Sequence, residues 1–94
     1  MRVQEWESIN SHALVSVFRV EQSISLNYRR SPEYPEMSQE LERLVTAENG
    51  CCGAAGVEFE LDEHPDGMSV VVKIIREGLP SRTVIAAFAA MSPS

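Results

Sequence analysis

Between Ser38 and Leu61 the apolar period changes from about 3.6 residues to 2, and that switch leaves a short chain few ways to fold. Met37, Leu41, Leu44 and Val45 stand one, two and more turns apart on a single helical stripe. Glu36 and Glu40 lie near its start, where the helix dipole favours anions, and Asn49-Gly50 reads as its stop. Beyond GCCGAAG, Val57, Phe59 and Leu61 alternate with Glu58, Glu60 and Asp62, the pattern of a strand with one buried face. His64-Pro65-Asp66-Gly67 predicts a turn, proline presetting the first corner and glycine supplying a positive φ. MSVVVKII then reads as the next strand.

Upstream, ALVSVFRV and SISLNYRR are strand-like and separated by Glu21-Gln22, short enough for an antiparallel hairpin. SPEYPE ends that sheet segment, because its prolines cannot donate to a ladder. Val3, Trp6 and Ile9 recur every third residue, which fits a short helical arm anchored by Trp6, with a frayed terminus as the alternative. After Pro80, Val84, Ile85, Phe88 and Met91 form a closing helical stripe for which Ser81 is the expected cap. The fold class expected is α+β: a two-layer sandwich of a four-stranded antiparallel sheet with two helices on one face (ββαββα). Residues 1-94 read as a single domain, with 1-11 the N-terminal arm, 12-49 the first ββα half and 50-94 the second.

A chain of 94 residues has room for one modest core, burying roughly 60–65% of its unfolded surface. Its net charge of −6 argues against nucleic acid and anionic membranes as partners, since both require a basic face. The adjacent pair Arg29-Arg30 is too small to supply one. No signal-peptide pattern opens the sequence, and the longest apolar run, Val84 to Met91, is far short of a membrane span. With two cysteines and no disulfide framework, the expected location is the cytoplasm.

Two strands carry apolar residues in both phases: Leu14, Phe18 and Val20 against Val15 and Val17, and Val70, Val72 and Ile74 against Val71 and Ile75. The last helix is apolar nearly all round. Alanine's helix propensity explains part of this; a self-association surface explains the rest, so a homodimer is the expected state.

Cys51 and Cys52 are the most chemically suggestive residues. Adjacent cysteines rarely bridge each other, because the ring strains disulfide and peptide geometry. They can instead offer two thiolates to one soft metal ion, such as mercury(II), copper(I) or arsenic(III). That is the cofactor the composition suggests. Only His12, His64 and Glu48 offer ligand types to complete a zinc site, and no spacing supports them. Continuing the helical stripe places both thiols near the core face, where free cysteine also serves as a small hydrophobe. No lysine or arginine lies within five residues, so a nucleophilic role for Cys51 or Cys52 has the weakest footing. Trp6, Tyr28, Tyr34 and Phe59 are the aromatic candidates for lining a small-ligand pocket. The first functional expectation is therefore a non-catalytic binding or accessory domain with a protein or small-molecule partner. A thiol protein using Cys51 and Cys52 is the alternative, and a small enzyme with a cysteine nucleophile the weaker one.

The run ENGCCGAAGVEFEL, with Pro-Asp-Gly and an apolar strand after it, resembles a family of small uncharacterised bacterial proteins with a helix–Cys-Cys–strand pattern. The likeness covers roughly Leu41 to Met91, with Glu48, Cys51, Cys52, Phe59, Leu61, Asp66 and Gly67 at corresponding positions. Gly53-Ala54 replaces the usual Pro-Phe, which removes a bulky apolar wall beside the thiols. The resemblance implies the architecture and singles out the cysteines; it implies no activity.

Overall fold

The computed structural model describes residues 2–52 and 55–91; the side chain of residue 52 lies outside the described set. The elements run α1 (Val3–Ala13), β1 (Leu14–Val20), β2 (Ser23–Arg29), α2 (Met37–Cys52), β3 (Val57–His64), β4 (Gly67–Ile74) and α3 (Leu79–Ala89). The class is α+β, with a four-stranded antiparallel sheet in the order β1-β2-β4-β3. Each hairpin contributes one inner and one edge strand, and β2–β4 pairing joins the two. There are three helices rather than two and an arm. The period-three residues Trp6 and Ile9 of α1 are fully buried, so this segment is part of the core.

Rows of opposed residues run across the sheet. Val17, Leu26, Val70 and Leu61 form one, and Arg19, Ile24, Val72 and Phe59 the next. Apart from exposed Arg19, this phase packs with Trp6, Ile9, Leu41, Leu44, Ile85 and Phe88 around one buried cluster. Trp6, Phe59 and Phe88 meet ring to ring, with centroids 5.2 Å apart for Trp6–Phe88 and 5.3 Å for Phe59–Phe88, both edge-on. Edge-to-face pairs of this kind add about 0.5–1.5 kcal/mol each beyond their burial.

The opposite strand phase is mainly polar: Ser23, Ser25, Asn27, Ser69 and Lys73 on the inner strands, Glu58, Glu60 and Asp62 on β3. Its apolar part is concentrated on β1. Two steps of β1, Leu14 to Ser16, oppose one step of β2, Tyr28 to Asn27, so Val15 is the extra residue of a bulge. The bulge reverses the phase of everything after it. Val17 turns inward, separated from Val15, and Phe18 and Val20 turn outward, 59% and 63% exposed, instead of sharing a face with buried Leu14.

Local expectations shift for identifiable reasons. Helix α2 continues through Asn49-Gly50 to Cys52, because the Asn49 side chain serves β3 and does not cap the helix. Helix α3 begins at Leu79 with Pro80 in its first turn, a place that needs no N–H donor. Ser81 is therefore inside the helix and fully buried, its hydroxyl donating to the Gly78 carbonyl at 3.0 Å. Gly67 does not have a positive φ; among the described glycines Gly56 does, at 85°. Glycine is required at 67 because a Cβ would clash with the Tyr28 carbonyl oxygen of the neighbouring strand.

Candidate functional site

Helix α2 places its carboxyl-terminal residues in three environments. Glu48 takes the last inward place of the stripe and has no exposed surface. Trp6 Nε1 donates to its Oε2 at 3.1 Å and Arg2 Nη1 to its Oε1 at 3.0 Å, so both oxygens are satisfied and α1 is tied to α2. Asn49 reaches the backbone of β3: its Nδ2 donates to the Phe59 carbonyl at 3.0 Å, and its Oδ1 accepts from the Phe59 N–H at 2.8 Å. The amide acts as a one-residue stand-in for a neighbouring strand. Cys51 is exposed and free, which corrects the expectation that it faces the core; the Cys52 side chain lies outside the described residues.

Among the described residues the four aromatic candidates lie in separate places, Tyr28 and Tyr34 each lining a different cleft. Trp6 and Phe59 are neighbours in the buried ring cluster. Tyr28 is buried and donates to Asn10 Oδ1 at 2.5 Å, while Asn10 Nδ2 donates to Met91 Sδ at 3.0 Å. Burial pushes the Tyr28 phenol well above its ordinary range. Tyr34 is half-buried and donates to Glu40 Oε2 at 2.6 Å; desolvation, reinforced by Glu40, raises its phenol as well. Among the described residues, no group of three or more His, Cys, Asp or Glu is placed to hold a metal ion. The His12 ring lies obliquely against Tyr34, and His64 contacts Ser69.

Two features emerge that residue spacing does not reveal. The first is the β1 edge. Its hairpin closes on the Val20–Ser23 pair over two residues, so alternation turns the backbone groups of Phe18 toward β2 and those of Val17 and Arg19 toward the open edge. The same counting from His64–Gly67 turns the groups of Phe59 outward on β3, where Asn49 meets them. The second is a shallow cleft of about 470 Å³ where β2, β3 and β4 come together at the Pro65-Asp66 turn. His64 Nε2 lies 3.0 Å from Ser69 Oγ, and that hydroxyl donates to Asn27 Oδ1 at 2.8 Å.

Comparison with protein-family models, curated proteins and solved structures found no match to this chain. None of its helices, among the described residues, is long and apolar enough to cross a membrane.

Proposed function

We propose that this two-layer α+β domain is a non-catalytic binding module that works as a homodimer, joined edge to edge through β1. The contrast between its two edge strands carries the reading. At the β3 edge Asn49 occupies the Phe59 backbone, and Glu58, Glu60 and Asp62 line the outer phase with one cation, Lys73, shared between the first two, so the net charge would set two copies apart. The β1 edge has a single charge within the strand, Arg19, and exposes Val15, Phe18 and Val20. An antiparallel twofold pairing in which Phe18 faces the partner's Phe18 places Arg19 opposite Val17 and Val20 opposite Ser16. No like charges then oppose each other. That register also puts the outward backbone groups of Val17 and Arg19 in the hydrogen-bonded positions and Phe18 in a close, non-hydrogen-bonded one.

The test is oxidation of Phe18→Cys in a Cys51→Ser/Cys52→Ser background. Non-hydrogen-bonded partners have Cα atoms about 4.5 Å apart, within disulfide reach. A covalent dimer is expected from Phe18→Cys and not from Val20→Cys in the same background. Equal cross-linking of the two, or a monomer by light scattering at tens of micromolar, would remove the proposal.

The exposure of Cys51 supports a second reading, a thiol protein that captures a soft metal or metalloid or undergoes reversible oxidation. Native thiol titration with mercury(II), arsenite and copper(I), controlled by the same double serine variant, tests it. Thiols that react only after denaturation would end this reading and the cysteine-nucleophile reading together.

A further inference from the structure

We infer that the cleft beside the Pro65-Asp66 turn is a binding site for an oxyanion, the phosphate or carboxylate group of a small ligand. The inference does not depend on self-association, and the cleft meets the β1 edge only at Val15. Arg29, Gly67 and His64 are opposed residues of one row across β2, β4 and β3. Gly67 contributes no side chain, so the arginine and the histidine flank bare backbone. The glycine is held there by the fold, since the Tyr28 carbonyl leaves no space for a Cβ. The next row holds Asn27, Ser69 and Asp62, and Asn27 and Ser69 line the same cleft.

Two of these groups lack an acceptor, the Arg29 guanidinium and the Asn27 amide N–H. Arg30 is committed to Glu63, with Nη2 3.7 Å from Oε1, whereas no ion pair or hydrogen bond engages the Arg29 guanidinium among the described residues. Arg29 is also exposed, so nothing in the fold requires a cation at that point. The Ser69 hydroxyl donates to Asn27 Oδ1, while Asn27 Nδ2 is buried without a partner. A buried amide donor without an acceptor is costly, and because Asn27 lines the cleft an oxygen bound beside it would relieve that cost. The planar guanidinium matches the geometry of phosphate or carboxylate in a two-point contact. Asp66 is the opposing charge, an acidic side chain lining the cleft from the turn. It keeps the empty site from being strongly positive and weakens any anion that enters. The cleft is wide enough for a phosphate with a small organic group attached.

The experiment is a ¹H–¹⁵N NMR titration of the whole chain at constant ionic strength. Inorganic phosphate and acetate are the two arms, and sodium chloride is the baseline. Saturable shifts confined to Asn27, Arg29, His64 and Ser69 are expected, and the tighter arm names the oxyanion. Arg29→Gln should weaken binding about tenfold or more, the scale of one lost charge-assisted contact. Asp66→Asn should tighten it. Arg43→Gln, which removes a surface arginine paired with Glu5 at 2.9 Å, should leave it unchanged. The Arg29 side chain is exposed and makes no hydrogen bond or ion pair among the described residues, so its variant reports binding rather than folding. Shifts equal to those in chloride, or shifts that persist unchanged in Arg29→Gln, would overturn the site.

Discussion

Glu21 occupies the first place of a two-residue hairpin turn with φ at 52°, the left-handed region that an ordinary side chain enters at a cost of about 1–2 kcal/mol. The hairpin was legible in the alternation of the flanking runs; the strain was not, because glutamate is no turn former. Glu21→Asn should raise stability by about 0.5–1 kcal/mol, read as a melting temperature roughly 3–6 °C higher. Tyr28 makes a different prediction. Its phenol is raised in the folded state, so its contribution is complete below the ordinary tyrosine range and is lost as pH rises above it. Stability should fall beyond about pH 10. Absorbance at 295 nm should show the Tyr28 phenolate appearing together with unfolding. Tyr28→Phe should flatten that alkaline loss while sacrificing the bond to Asn10. A Tyr28 that ionises in the intact fold would refute the burial argument.

Helix α1 shows how an element can be half legible. The spacing of Val3, Trp6 and Ile9 named its anchor, yet the segment read as an arm because nothing in it marks a buried partner. That partner is Glu48, forty-two residues from Trp6. On α2 alone, Glu48 is one more charge near a helix end, and only the packing of α1 against it turns it into a buried acceptor. Glu48→Ala leaves the Trp6 N–H without an acceptor and Arg2 without its anchor. The expected loss is about 2–3 kcal/mol, a drop in melting temperature of roughly 10–20 °C followed by circular dichroism. Glu48→Gln keeps one acceptor oxygen and should lose less. Melting unchanged in both variants would mean that α1 is held by its apolar residues alone. The cysteines show the converse case: continuing the stripe from Leu44 and Val45 by seven residues turned both inward, whereas Cys51 is exposed.

For the molecule as a whole, the two edges of one sheet carry opposite chemistry, acidic and plugged at β3, apolar and open at β1. If β1 edges join two copies, the folded state is stabilised by mass action. Melting temperature should then rise with protein concentration in the wild type and become independent of it in Phe18→Ser. A wild-type transition that does not move with concentration would contradict the dimer. The surplus of apolar residues on β1 was evident from composition along the strand, but its division between faces was not, since the bulge at Val15 exchanged the phases. Periodicity reports which residues share a side of a helix or strand relative to that element's own axis. It therefore determined the sheet strands, the principal helices, the hairpins and most of the core. Strand order, the bulge, the burial of Glu48 and the meeting of Arg29, Gly67 and His64 belong to the tertiary structure alone. Each depends on which distant segment packs alongside, and a local pattern contains no record of its neighbour.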